Sequence, residues 1–282
     1  MRKVVDRIFR FGTGACATLS CALLLGIAGT IFLRALPALD GSLLAGSADA
    51  RFAQGDLAFQ ILGTLLLVST ALIVSTPIAV GLALAKSVYL GPGAARAMRL
   101  GLFAANGVPS IVFGILGLVV FAKFLDWGKS WLAGGIVLGL MILPTMTLAL
   151  VERIEALPTR YLQAATGLGL NRSQLVRSVI LPQSRGGLVA GGLLGLARAA
   201  GETAPIMFTA AVFSGATVPD GIRDSPVLAL PYHIFVLAQD TYDVDARTRM
   251  WAAAFVLLSL VFLFSLVSLP ARLHSTEEAR FG

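Results

Sequence analysis

The chain is dominated by long uninterrupted apolar runs that are separated by shorter polar connections. A helix needs about 20 apolar residues to cross a bilayer, and only helices fit here. Lipid offers the backbone no hydrogen-bond partners, and the runs lack the alternation of a membrane β-strand. We therefore predict an all-α polytopic membrane protein with six transmembrane helices in one domain over 1–282. The predicted spans lie at about 11–36, 60–85, 101–122, 131–150, 187–212 and 250–270.

Composition excludes a water-soluble fold. Hydrophobic residues make up 57% of the 282 residues and charged residues 13%, whereas soluble domains carry about 25% charged residues. The first apolar run is also far longer than the roughly 7–15 residues of a signal-peptide core. We therefore interpret it as a retained first span.

The net charge of +7 would suggest nucleic acid in a soluble protein, but here it indicates orientation. Fourteen Lys and Arg lie in the two tails and in the connections on their side of the membrane, against six on the opposite side. Positive residues favour the cytoplasmic side. We therefore predict a multi-pass protein with both termini in the cytoplasm and with no nucleic-acid partner.

The inner connection at 151–186 carries a spaced pattern. Gln163-Ala164-Ala165 is followed after three residues by Gly169, and Val179-Ile180-Leu181-Pro182 begins nine residues later. The small residues allow close backbone approach, and Gly169 permits a bend. Asn171 is predicted to cap the next short helix, which Pro182 would end.

A charged pair interrupts the fifth apolar run. Arg198 and Glu202 are spaced i, i+4, so they share a helix face and can meet. An isolated charge at mid-membrane costs about 2.5–3.5 kcal/mol on insertion scales, so such residues normally face a bundle interior or a water-filled path. Gly201 and Pro205 weaken the helix around the pair. The pair is either functional or a structural salt bridge between spans.

Two features of these residues resemble known proteins. The spaced pattern in 151–186 resembles the EAA loop of ABC-importer permeases, although Gln163 replaces the Glu and Val179 replaces the Ile. The runs at 197–206 and 107–114 are similar to those of phosphate ABC-transporter permeases of the PstA kind. The resemblance implies a type I (MetI-like) importer permease, placed in the bacterial inner membrane.

The resemblance also implies roles for particular residues. The inner loop would form a coupling helix that docks on a separate ATPase, and Arg198 would contact the passing anion while Glu202 tunes that contact. Three sets follow: coupling residues Gln163, Ala164, Ala165, Gly169, Leu181 and Pro182; pathway residues Arg198, Glu202 and Thr203; and helix hinges Pro109, Gly201 and Pro205.

The partners that the resemblance implies are a second permease, as a heterodimer, an ATPase dimer and a periplasmic phosphate-binding protein. We predict no cofactor, metal or ATP site in this chain, so ATP and Mg would bind the ATPase. Gly128-Lys129-Ser130 imitates the end of a P-loop, but Lys123 stands where the first Gly is required. The chain is therefore predicted to be a transporter subunit and not an enzyme.

Two alternatives to a phosphate importer remain open at this stage. The chain could belong to an importer of another oxyanion, sulfate or molybdate, or to a secondary transporter that needs no ATPase. The glycines Gly187, Gly191 and Gly195 recur every four residues and permit tight helix crossing. They are expected to face either the partner permease or another helix of this chain.

Overall fold

The computed structural model describes residues 2–39, 57–213, 218–239 and 243–280. Regular structure in these ranges is helical, apart from one isolated bridge between Ala211 and Val227, which confirms the all-α prediction. The helices are α1 (Arg2–Ala35), α2 (Ala58–Leu84), α3 (Pro92–Asn106), α4 (Ser110–Gly117), α5 (Trp131–Glu155), α6 (Thr159–Gly167), α7 (Arg172–Leu175), α8 (Leu181–Ala200), α9 (Ala204–Thr209), α10 (Leu230–Leu237) and α11 (Val244–Arg280).

Four helical segments are long and apolar enough to cross a membrane. They correspond to predicted spans one, two, four and six, at Phe9–Ala38, Ala58–Tyr89, Trp131–Glu155 and Val244–Val267. The bent pair α3 and α4 passes the same test when counted as one span. Helices α8 and α9 occupy the predicted fifth span. The structure is therefore compatible with six crossings, although that count stays a prediction.

Predicted span three is not one straight helix. Pro92–Asn106 and Ser110–Phe124 meet at an angle of 88°, and the predicted hinge residue Pro109 lies at this bend. Pro109 has no N–H to donate and disfavours helical geometry in the residue before it. The chain therefore leaves the helix after Asn106 and starts a new one at Ser110.

Predicted span five is also interrupted. Helix α8 ends at Ala200, and α9 covers only Ala204–Thr209, so the span is interrupted where Gly201 and Pro205 were predicted to weaken the helix. Pro205 lies in the first turn of α9, where the missing N–H of a proline does no harm. The residues between the helices form an irregular break, which we call the span-five break (201–203).

The helix predicted to stop at Pro182 continues instead. A π-helical turn at Val176–Ile180 joins α7 directly to α8, and Pro182 lies in the first turn of α8. A π turn is wider than an α turn, so it accommodates the ring and the missing hydrogen bond. Pro182 therefore does not end the helix.

Helix α5 lies at the centre of the bundle. Of its most apolar stretch 72% is buried inside the chain, against none for α1. Helix α5 packs closely on α8 because the glycines of α8 have no side chain. A Cβ on Gly187 would lie 2.5 Å from Arg153, and one on Gly195 would lie 3.1 Å from Met146. The small-residue face of α8 therefore packs within this chain, against α5, and this answers which of the two expected surfaces it serves.

Candidate functional site

Arg198 lies two residues before the end of α8, where it meets two other elements. Its Nη1 donates to the Oδ1 of Asn106, the last residue of α3, at 2.7 Å and to the Oγ1 of Thr145, in α5, at 3.0 Å. The Thr145 hydroxyl in turn donates to the same Asn106 oxygen at 2.8 Å. The three side chains form a closed triangle that ties α3, α5 and α8 together.

Glu202 lies beyond the end of α8, in the span-five break. Its Oε1 is 3.8 Å from the Nε of Arg198, and the two side chains are 19% and 31% exposed respectively. Tight turns bring them together, because Gly201 and Glu202 donate their N–H groups to Arg198 and Ala199. The predicted pair therefore meets, but around a helix end rather than along a regular helix.

The predicted hinge residues lie at the two helix breaks. Pro109 lies between α3 and α4, Gly201 is the first residue of the span-five break, and Pro205 lies in the first turn of α9. Thr203, the third predicted pathway residue, is half-buried and precedes α9. Whether any of these residues moves during transport stays a prediction.

The segments that follow the two breaks pack closely on each other. Helix α4 lies against α9, and a Cβ on Gly114 would come within 3.0 Å of the Ala204 carbonyl oxygen. The breaks are thus linked twice: before them by the hydrogen bond from Arg198 to Asn106, and after them by the α4–α9 contact.

The inner loop presents an exposed turn, which we call the inner-loop turn (163–169). Gly169 adopts a φ of +73°, a left-handed conformation that favours glycine at a helix end, and it reverses the chain after α6. Leu168, just before this turn, is 80% exposed. Gln163, Ala164 and Gly169 are also exposed. Three of the predicted coupling residues are therefore exposed in the same turn as Leu168.

The other predicted coupling residues face inward or lie farther along the chain. Ala165 is buried, and Leu181 packs against the apolar cluster around Val151 and Ile180. Pro182 is half-buried at the start of α8. Half of the predicted set is therefore exposed in the inner-loop turn, and the other half is buried or half-buried.

Asn171 caps the helix after the Gly169 turn, as the sequence predicted. Its side chain accepts from the N–H of Gln174 at 2.9 Å, and the Gln174 side chain accepts from the N–H of Asn171. This reciprocal capping box fixes the start of the helical stretch that runs through α7 into α8. The inner loop is therefore connected to Arg198 by helix alone, with the π turn as its irregular segment.

Sequence reasoning missed an ionic cluster beside the inner loop. Glu155, the last residue of α5, forms ion pairs with the buried Lys86 and, at 3.5 Å, with Arg99. These contacts join the π-helical turn that follows α2, the middle of α3 and the end of α5, and three residues separate Glu155 from α6. The charges that border the ends of apolar runs were the available signal, but sequence could not pair them.

Sequence reasoning also missed Asn106 and Thr145. Asn106 immediately precedes the Gly107-Val108-Pro109 break, and Thr145 follows Pro144, so each is a polar residue beside a helix-perturbing one within an apolar run. That position was the signal. Their shared contact with Arg198 depends on the packing of three helices.

The P-loop-like tripeptide is a turn that starts α5. Gly128 has a φ of +62°, Ser130 caps α5 by accepting from Leu132, and Lys129 donates to the Ala211 carbonyl at 2.9 Å. Burial lowers the pKa of Lys129 below its ordinary value. Among the residues that the structure describes, no three His, Cys, Asp or Glu gather as metal ligands would.

Comparison with known proteins adds an independent line of evidence. Residues 75–269 match the family described as binding-protein-dependent transport system inner membrane component. Phosphate transport system permease protein PstA 2 of Mycobacterium tuberculosis is 30% identical over 285 residues, covering 96% of this chain and 90% of the relative. Phosphate transport system permease protein PstC 2 of the same species is 30% identical over 233 residues, covering 72% of each chain.

Among solved structures, this chain is similar in fold to one from the inward-facing MetNI methionine ABC transporter. The TM-score is 0.59 over 77% of this chain and 93% of that chain, with 16% sequence identity. At this identity the likeness concerns the fold, and it confirms the predicted MetI-like architecture.

Proposed function

Because this chain belongs to the family of binding-protein-dependent transport system inner membrane components, we propose that it is the transmembrane permease subunit of an ATP-driven phosphate importer. The chain is membrane-embedded and multi-pass. Phosphate is supported by the relatives named for phosphate transport, one of which aligns over 96% of this chain.

The observation that carries the substrate assignment is the arrangement around Arg198. Two neutral side chains hold its guanidinium through hydrogen bonds, and the Glu202 carboxylate forms an ion pair with Nε at 3.8 Å, too long for a hydrogen bond. The planar guanidinium fork suits the oxygens of a tetrahedral oxyanion. Arg198 is thus held in place while its charge stays available to a passing anion.

Glu202 favours phosphate over fully ionised oxyanions. Hydrogen phosphate carries a proton that it can donate to a carboxylate, whereas sulfate has none and is repelled by the negative charge. The proposed role of Glu202 is therefore to accept a hydrogen bond from the anion that Arg198 holds. Under sulfate or molybdate import, the rival assignment, this carboxylate would serve only as the structural ion-pair partner of Arg198.

Energy must come from outside this chain. Each negative charge that enters against 100 mV, inside negative, costs about 2.3 kcal/mol, and a divalent phosphate costs about twice that. The inner-loop turn around Leu168 and Gly169 is the proposed docking surface for a partner ATPase, which would bind ATP and Mg. A helical stretch that Asn171 caps runs from the inner-loop turn to Arg198. A displacement of the turn by the ATPase would therefore be transmitted along this stretch to Arg198.

The remaining partners follow from the family and from the names of the relatives. A second permease is supported because this chain resembles both PstA and PstC proteins, so a heterodimer is the proposed arrangement. A binding protein would deliver phosphate to the pair from the outer side. The proposed location is the bacterial inner membrane, with both termini in the cytoplasm.

Reconstitution tests this proposal. The complex that co-purifies with a tagged copy of this chain is placed in liposomes, and labelled phosphate uptake is measured with ATP, without ATP and with excess sulfate. We expect uptake that requires ATP and that sulfate does not suppress. Uptake by this chain alone would point instead to a secondary transporter, and suppression by sulfate or molybdate to another oxyanion importer.

A further inference from the structure

The guanidinium of Arg198 makes its hydrogen bonds through one nitrogen, Nη1, and leaves the Nε–Nη2 edge free of hydrogen bonds. Nη1 donates to both Asn106 and Thr145. In the part of the chain that the structure describes, Nε and Nη2 donate no hydrogen bond; Nε forms an ion pair with Glu202 at 3.8 Å, a distance too long for a hydrogen bond. The Nε–Nη2 edge is the one that can donate two parallel hydrogen bonds to two oxygens of an anion.

The direction of each hydrogen bond in the triangle is set by the available protons. Thr145 has one hydroxyl proton, which goes to the Asn106 oxygen, so its own oxygen is left to accept from Arg198. The Asn106 oxygen then accepts two hydrogen bonds. Both partners are neutral, so they orient the guanidinium without cancelling its positive charge.

We propose that Asn106 and Thr145 are positioning residues that aim the Nε–Nη2 edge of Arg198 at a tetrahedral oxyanion. The inference rests on the proposed function, because it takes Arg198 as the residue that contacts the transported anion. A carboxylate in place of either partner would hold Arg198 equally well but would add a second negative charge beside a guanidinium that Glu202 already faces. A neutral amide paired with a hydroxyl gives orientation together with an available charge.

The location of Asn106 connects this edge to the break in span three. Asn106 is the last residue of α3, and the 88° bend to α4 begins immediately after it. Any rotation of α4 relative to α3 acts on the residue whose oxygen holds Arg198. The presentation of the edge therefore depends on the state of the break, so anion contact changes when the helices move.

The test uses the complete complex in proteoliposomes and compares phosphate moved per ATP hydrolysed. Thr145→Val removes the hydroxyl and keeps the shape, while Thr145→Ser restores the hydroxyl. Thr147→Val is the matched control, because Thr147 lies in the same helix, two residues away and fully buried, but its hydroxyl donates to Leu143 of that helix. We expect Thr145→Val to lower the ratio at least about tenfold, since a hydrogen bond to a charged group is lost, with Thr145→Ser and Thr147→Val close to wild type.

Asn106→Asp separates positioning from a structural role. The new carboxylate would pair with Arg198 and strengthen the link from α3 to α8, so we expect the complex to keep its thermal stability and to lose uptake. A purely structural triangle predicts retained uptake in this variant.

Besides retained uptake in Asn106→Asp, two results would overturn the inference. One is wild-type coupling in Thr145→Val, and the other is equal losses in Thr145→Val and Thr147→Val. Arg198→Ala in the same assay keeps the two proposals distinct. If Arg198→Ala abolishes uptake while Thr145→Val does not change it, only the positioning role fails, whereas wild-type uptake in Arg198→Ala removes the proposed role of Arg198 itself.

Discussion

Asn106 accepts a hydrogen bond of 2.7 Å from Arg198 across 92 positions of sequence, and each residue lies just before a break in its helix. Asn106 ends α3, and Arg198 lies two residues before the end of α8. Beyond the breaks, α4 packs on α9. The contact therefore joins two interrupted helices at the point where each can bend, and it places the positive charge between them.

Leu168→Asp should weaken capture of the ATPase. Leu168 is exposed on the inner loop, so the change should leave folding intact, but a charge would replace an apolar contact worth about 1.5–3 kcal/mol when fully buried. We expect at least about tenfold less ATPase to co-purify with the tagged chain. Val218→Asp is the control, because Val218 is comparably exposed but lies in the connection predicted to be on the outer side. Equal ATPase recovery in wild type and Leu168→Asp would contradict the docking surface.

Gly63→Ala should destabilise the fold, whereas Gly81→Ala in the same helix should not. A Cβ at position 63 would lie 1.9 Å from the backbone oxygen of Leu228, which cannot move aside cheaply, while a Cβ at position 81 meets nothing within 4 Å. Overpacking costs about 1–3 kcal/mol, but alanine is otherwise favoured in helices. Thermal unfolding in detergent should show a lower midpoint for Gly63→Ala and an unchanged or higher one for Gly81→Ala. Equal midpoints would contradict the packing of α2 on the Leu228 segment.

Glu202→Gln should reduce phosphate uptake without disassembling the complex. The amide cannot supply the charge that accepts the proton of hydrogen phosphate, and a hydrogen bond involving a charged group is worth about 1.5–3 kcal/mol. We expect labelled phosphate uptake to fall at least about tenfold at equal complex abundance. Glu152→Gln is the control, since Glu152 is an exposed carboxylate in α5. Phosphate uptake in Glu202→Gln equal to that in Glu152→Gln would contradict the proposed role of Glu202 in the phosphate pathway.

Much of the fold was predictable because lipid imposes strong constraints. Predicted span two lies within two residues of α2 at each end, and predicted span four starts with α5 and ends five residues before it. Apolar runs of membrane length have few alternatives to helix. The cap at Asn171 was predictable because its determinants are local. The meeting of Arg198 and Glu202 was predicted from their i, i+4 spacing, although the pair meets around a helix end rather than along a helix.

The interruptions and the long-range contacts were not predictable in the same way. Pro109 and Pro205 break their spans, but Pro77 and Pro144 lie inside continuous helices. A proline therefore signals a perturbation, and surrounding packing decides its size. The triangle of Asn106, Thr145 and Arg198 draws one side chain from each of three helices, so no local pattern encodes it.

The most direct test of the central claim is labelled phosphate uptake by proteoliposomes that contain the complete complex with Arg198→Lys. Lysine keeps the positive charge but lacks the planar fork, so it cannot hold Asn106 and Thr145 while offering two donors to an anion. We predict ATP-dependent uptake at least about tenfold below wild type, with the complex assembled in equal amount. Uptake equal to wild type would contradict the assignment of Arg198 to the phosphate pathway.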